Sequence, residues 1–524
     1  MLIYVLSPAQ DFTVMLQPVN ISGLPGLQSY AYGQHDGKWL VIGGRTDGLH
    51  LRQPPFTFLA ADNNTDIYVI DPEAGQYWSA PLASLTTSMQ EQLQSTNMQF
   101  HQWGNVLYIS GGYGYSATAN NHITHPYLTA VDVPGTVNAI INNQPVSSYF
   151  RQLTDTNMSV TGGHLSMIGD TFYLVCGQKF TGRYNPMGPN HGPGFVQDYT
   201  NQVRKFTIND NGTTLSINNY NIITDAVNLH RRDYNLVNQV FPDGRQGFTV
   251  FTGVFQYNID RPYLNTVDID AAGHYVNNNF SQYLSQYHSA VMPMYDSAAN
   301  EMHSVFFGGM SQFYYDANNV LVEDTNVPFV KTISRVTRHA NGTMDEVRLN
   351  VDMPDYLGSG AEFIPLEGIA KYENEVIKLN YTNGDTVLAG YIYGGIKSTA
   401  PNIFWVNDGT QSIASPVIYK VYIVKSAATG LNKVVGKSPN PLNMSVYPNP
   451  ANEKAGILFT LNSDADVYIY LQDTNGAMVN QYSLTGLKPG NYDADINLAN
   501  LPQATYFITV STDRFMQTKP VIKK

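Results

Sequence analysis

An apolar strand that ends in a glycine turn recurs six times, and this constrains the fold more than any other feature. It appears as WLVIGG (Trp39 to Gly44), VLYISGG (Val106 to Gly112) and FYLVCG (Phe172 to Gly177). It returns as FTVFTG (Phe248 to Gly253), SVFFGG (Ser304 to Gly309) and YIYGG (Tyr391 to Gly395). The last glycines lie 68, 65, 76, 56 and 86 residues apart, so the unit varies in length and keeps its internal order. Before most of these strands stands another strand and a tight turn, at His35, Trp103, Ile168 and Pro242; Asp-Gly and Gly-Asn pairs of this kind build two-residue hairpins. After each glycine turn come a variable loop and an alternating strand, beginning at Asp66, Tyr127, Gln202, Leu264, Thr332 and Ile418. The first unit adds a fourth strand, Tyr77 to Leu82. Four antiparallel strands per unit, repeated, describe the blades of a β-propeller.

The hydrophobic run closing on Gly-Gly, followed by an aromatic strand and a Trp, resembles the kelch repeat. Gly43-Gly44, Tyr68 and Trp78 carry the resemblance in the first unit. The third and fourth units depart from it, with Cys176-Gly177 and Thr252-Gly253. The expected fold is all-β: a six-bladed kelch-like β-propeller over residues 10–425, followed by a small C-terminal β-sandwich. The segment from Asp11 to Val19 alternates and is expected to supply the outer strand of the last blade. A residue without Cβ tolerates close approach and positive φ, so the repeated glycines are read as structural.

Residues 426–444 carry small, Gly and Pro residues without periodicity and read as a linker. Beyond them, residues 445–524 resemble the type A sorting domain of the type IX secretion system of Bacteroidetes. The features that carry it are Tyr447-Pro448-Asn449-Pro450, the turn from Asp473 to Gly476, Leu501-Pro502 leading into Tyr506 to Val510, and the terminal TKPVIKK. The resemblance implies recognition by the type IX secretion machinery, passage across the outer membrane of a Gram-negative bacterium, removal of the domain, and attachment to surface lipopolysaccharide. It also implies that Tyr447, Asn449 and Lys523-Lys524 are not catalytic. At the other end, Met1 to Leu6 is apolar and Ser7-Pro8-Ala9-Gln10 follows, so residues 1–9 read as a truncated signal peptide remnant.

Composition agrees with an exported protein. Charged residues are only 13%, and polarity comes instead from Asn, Gln, Ser, Thr and 36 Tyr. The net charge of −12 argues against a nucleic-acid partner, because phosphate binding needs clustered Lys and Arg. A single cysteine, Cys176, excludes an intramolecular disulfide and a cysteine metal cluster. No apolar run reaches the ~18 residues a membrane-spanning helix needs.

In a propeller, the loops after the glycine turns and those entering each innermost strand share one face. Here the post-glycine loops are long and rich in Tyr, Phe, Asn, His and Gly, and loops so clustered commonly carry function. Aligned on the glycines, the residues entering the inner strands include Tyr30, His101, His164, the run His230-Arg231-Arg232, and His288. With Arg45 and Arg183 above them, the candidate ligand-binding set is Arg45, His101, His164, Arg183, Arg231, Arg232 and His288: a polar, partly cationic mouth suited to an anionic or hydroxyl-rich ligand. No catalytic residue is singled out among acids such as Glu301, Glu323 and Glu367, and no metal or cofactor is expected. The sequence therefore reads as a secreted or cell-surface protein that binds a glycan or a protein. The alternative is a sugar-acid-modifying enzyme of the mutarotase or epimerase kind found on kelch propellers.

Overall fold

A computed structural model describes residues 12–51, 56–184, 195–257, 259–316, 318, 320–382, 384–425, 427–428, 432–434, 442–474, 478–512 and 516–524. The signal remnant at 1–9, most of the 426–444 linker and the Asn475-Gly476 turn lie outside them. Alternation of buried and exposed side chains drives the segments into strands, and short turns pair the first two strands of most sheets antiparallel. Six sheets, each built on four antiparallel strands, follow one another along the chain. The first contains Ala31–His35, Lys38–Ile42, Asp66–Asp71 and Gln76–Pro81. The second contains Gln99–Trp103, Val106–Ser110, Tyr127–Asp132 and Phe150–Thr154. The third contains His164–Ile168, Thr171–Val175, Gln202–Asp210 and Leu215–Thr224. In the fourth are Asn235–Val240, Gln246–Phe251, Thr266–Ile269 and His274–Asn277; in the fifth, Ala290–Asp296, Glu301–Phe307, Thr332–Arg338 and Met344–Asp352. The sixth runs Tyr356–Pro365, Thr386–Ser398, Ile418–Lys425 and then Phe12–Val19, the two chain-distant strands pairing from Phe12↔Lys425 to Val19↔Ile418. The fifth and sixth sheets each carry one further short strand.

Each sheet is bonded to the next at its glycine turn. The N–H of Gly44 donates to Ser95 O, Gly112 to Val160 O, Gly177 to Arg231 O, Gly253 to Gln286 O and Gly309 to Leu357 O, at 2.8 to 3.3 Å. The N–H of Gly395 returns to Leu27 O, just ahead of the first sheet, at 2.8 Å. The apolar cores obey the same order. Leu40, Ile67 and Leu107, Val131 join the first and second sheets, and Phe307, Ile333 and Ile392, Val421 join the fifth and sixth. Trp39 and Val41 pack with Tyr391 and Tyr393, joining the sixth sheet to the first. At Gly44 an added Cβ would stand 2.4 Å from Gln28 O, which explains why these crossings need glycine. Cys176 and Thr252, where the sequence breaks the Gly-Gly pattern, take the left-handed backbone anyway, at φ 49° and 51°.

Some elements were not expected from sequence, among them two helices and a sheet built from loops. Helices Thr87–Leu93 and Val133–Ile141 cover the first two sheets, the latter capped by Asp132, whose carboxylate accepts from Gly135 N–H. The post-glycine loops of the second and third units also join into one four-stranded sheet of Tyr113–Ser116, Asn121–Thr124, Gln178–Gly182 and Phe195–Tyr199.

The C-terminal residues form two further sheets. One holds Ala465–Gln472, Met478–Leu487, Thr505–Ser511 and Met516–Ile522; the other holds Leu442–Tyr447, Lys454–Leu461 and Gly490–Asn497. Ile457, Phe459, Ile469, Leu471 and Ile508 from both share one apolar cluster. Asn449 of the Tyr-Pro-Asn-Pro motif donates to Pro520 O at 2.8 Å and accepts from Ile522 N–H at 2.9 Å, tying the motif to the final strand.

Candidate functional site

The strands that open the six sheets together line one chamber of about 470 Å³. Gln34, Gln102, Ser166, Asn238, Val291 and Glu362 come one from each. On the side where the post-glycine loops emerge lies a cup of about 340 Å³, to which all six units contribute. A neck of about 60 Å³ has walls shared with both. His288 lines all three spaces, His164 lines the chamber and neck, and Asp233 lines the neck and cup.

At the neck, the Nε2 of His288 stands 3.2 Å from Glu362 Oε1. Burial opposes protonation of this imidazole, but the Glu362 charge and hydrogen bond outweigh it and raise its pKa above 6.5. The His164 ring crosses it edge-on, with centroids 5.1 Å apart, and its Nε2 bonds Tyr234 O at 2.8 Å. Burial, with the neighbouring His288 charge, pushes His164 down to about 3. His101 in the chamber is lowered to about 4 by burial. Two histidines of the neck and chamber are thus held neutral beside one whose pKa is shifted the opposite way.

The cup is aromatic. His50 stacks on Phe58 at 4.6 Å, and Phe58 meets Tyr113 edge-on at 5.2 Å. Tyr184, Phe255, Tyr287 and Phe404 continue the wall, and Trp405 stands at the rim with 53% of its surface exposed. Burial lowers His50 to about 4, so it adds ring surface and no charge near neutrality. Arg232 enters the cup paired to the carboxylate of its neighbour Asp233, with its Nε donating to Tyr199 OH at 3.2 Å. The guanidinium lies 5.4 Å from the centre of the Phe255 ring.

The structure thus brings His164 and His288 to the neck and Arg232 to the adjoining cup, with His101 in the chamber. The other arginines stand elsewhere. Arg45 is 1% exposed; Asp47 grips its guanidinium at 2.7 Å through both carboxylate oxygens, and Asn63 accepts a further bond at 3.1 Å. Arg231 is fully buried, donating to the carbonyls of Asn228, Thr252 and Asn265 at 2.7 to 2.9 Å, above the Tyr263 ring. Both guanidinia serve the scaffold, a correction to their expected role at the mouth. Arg183 is half-buried near Tyr113 and His122 and lines none of the three spaces. Tyr30 is buried with its hydroxyl on Tyr393 O, and His230 stacks on Tyr199 at 3.8 Å.

Among the acids that line the spaces, Glu367 in the chamber was named from sequence, whereas Asp233, Asp260, Glu362 and Glu375 were missed. Of the acids weighed earlier, Glu301 binds His339, Glu323 binds Arg261, and Glu367 accepts from Gly37 N–H. Among the described residues no group of three or more His, Cys, Asp or Glu is placed to hold a metal ion, and no helix is long and apolar enough to cross a membrane.

Among curated proteins none matches the chain. Several solved structures resemble it distantly. One, described as the structure of YjhT, is 10% identical, with a TM-score of 0.42 over 76% of this chain and 97% of its own. A glycoside hydrolase family 43 arabinoxylan arabinofuranohydrolase from Bacillus subtilis is 9% identical, with a TM-score of 0.28 over 95% and 97%. PorZ, a surface component of the type IX secretion system of Porphyromonas gingivalis, is 9% identical, with a TM-score of 0.13 over 97% and 100%. At these scores none bears on function. Residues 445–524 match the secretion system C-terminal sorting domain family, and this type IX tail marks the chain for export to the cell surface or beyond it.

Proposed function

We propose that residues 10–425 close into a six-bladed kelch-like β-propeller that binds a carbohydrate in its aromatic cup, outside the cell, after export directed by the sandwich at 445–524. The observation that carries the binding reading is the cup itself. Its wall is built from aromatic residues of separate loops around an axis, with amides of Gln28, Asn97, Gln178 and Asn326 among them. Flat rings offer broad contact to the C–H faces of a sugar at little entropic cost, and amides exchange hydrogen bonds with its hydroxyls. Closure of the propeller is supported by the glycine bonds that run from sheet to sheet and by the apolar cluster shared between the sixth and first sheets.

The enzyme reading needs a carboxylate or imidazole free to act beside an arginine. In the cup the carboxylate beside Arg232 is Asp233, its own ion-pair partner, so binding is favoured. A glycan array on the full chain, followed by calorimetry on the hits, tests this. Trp405→Ala and Tyr184→Ala should each weaken the best hit about tenfold in a chain that stays folded by circular dichroism; unchanged affinity in both overturns the assignment of the cup.

A further inference from the structure

We infer that the cup selects uncharged saccharides and disfavours their anionic counterparts, an inference that rests on the carbohydrate reading and specifies its ligand. The argument is electrostatic. The charged side chains that line the cup among the described residues are Arg232, Asp233 and Asp260, with His288 at its floor. Arg232 is neutralised in place: Asp233 holds Nη1, Tyr199 holds Nε, and the Phe255 ring covers a face. A carboxylate or sulfate entering the cup would have to displace Asp233 or lie beside two carboxylates. His288 turns its Nε2 to the Glu362 carboxylate at 3.2 Å, so a charge on its ring is already matched. Arg45 carries its charge into a bidentate clasp with Asp47. Burial keeps His50 neutral, and it presents only its ring to Phe58.

An anion desolvated against aromatic rings needs a partner charge, and a group already paired supplies little net attraction. A sugar hydroxyl has no such requirement, since amides serve it equally as donor or acceptor. The aromatic wall rewards the apolar face of a neutral ring and gives nothing back to a buried charge.

Asp233 sits at φ 49°, a conformation Asn also adopts readily, so Asp233→Asn removes the carboxylate with minimal strain. It should release Arg232 and admit anions. The test uses the full chain on an array of matched pairs, for example lactose against sialyllactose and neutral xylo-oligosaccharides against glucuronate-bearing ones, with calorimetry on the strongest pair. Expected are at least ~tenfold tighter binding of the neutral member and an affinity nearly flat between low and high salt. Asp233→Asn should raise the affinity of the anionic member several-fold. An anionic member that binds as tightly as its neutral partner, or an Asp233→Asn chain that gains no anion affinity, overturns the selectivity and leaves the carbohydrate reading standing. Silence across both sets overturns both.

Discussion

The imidazole of His288 and the carboxylate of Glu362 stand 3.2 Å apart where three internal spaces meet, joining the fifth and sixth sheets across the neck. His288 is half-buried yet holds its proton above the ordinary value of 6.5, because the carboxylate outweighs desolvation. A raised histidine pKa favours the folded state while the histidine is protonated there. That contribution is complete below pH 6.5 and fades as pH rises through the folded value. Glu362→Gln should therefore lower the His288 pKa, read from the NMR titration of its ring protons. It should also cost most stability near pH 6, with the difference from the native chain narrowing toward pH 9. A His288 titration unmoved by Glu362→Gln would refute the pairing.

Two adjacent arginines make opposite predictions. Arg231 satisfies three backbone carbonyls from full burial, so Arg231→Ala leaves acceptors unpaired in the interior and should cost about 3 kcal/mol or more in urea unfolding. Arg232 lines the cup, where water can reach the Asp233 carboxylate left behind, so Arg232→Ala should cost clearly less than Arg231→Ala. Equal losses would show that the two side chains share a role.

This pair also marks where the sequence stops being informative. Successive side chains of an extended segment face opposite ways, so one of two neighbouring arginines belongs to the interior, but nothing in His230-Arg231-Arg232 says which. The glycine strands were legible because a steric demand fixes residue type at each crossing. Glu362 was not: its strand, Tyr356–Pro365, contains Gly358 and Gly360 and reads as a turn, although it faces the chamber. The helix at Val133–Ile141 had readable signals in Asp132 and Pro134, overlooked because the strand before it alternates so clearly. The aromatic richness of the loops was visible as composition. That Phe58, Tyr184 and Trp405 converge on one cup depends on contacts between distant segments, which composition does not encode.

The bond from Gly395 N–H to Leu27 O predicts a sharp asymmetry among the turn positions. At φ 86°, Gly395→Ala would place Cβ 2.7 Å from that of Ala361, so it should cost about 2–4 kcal/mol. Thr252→Gly removes left-handed strain worth about 1 kcal/mol and a hydroxyl bond to Gln286 O of similar worth, so it should be neutral within about 1 kcal/mol. Melting temperatures of the two variants check this. A benign Gly395→Ala would mean the crossing is looser than its contacts indicate.

The last prediction concerns the strand that joins the two ends of the six-sheet region. Phe12–Val19 pairs over eight residues with Ile418–Lys425, and Phe12 and Val14 are 1% and 2% exposed. The Phe12 ring meets His303 edge-on at 5.2 Å and lies beneath the Arg335 guanidinium, so it stitches the sixth sheet to the fifth. Phe12→Ala should cost about 3–5 kcal/mol, as large aromatic deletions in packed cores do. Deleting residues 1–19 should do more, because it leaves Ile418–Lys425 as an open edge able to template pairing between chains. Concentration-dependent aggregation in light scattering, together with earlier proteolysis near Ile418, is the expected outcome. A deleted chain that stays monomeric and melts like the full one would show that the sixth sheet is held by its remaining strands alone.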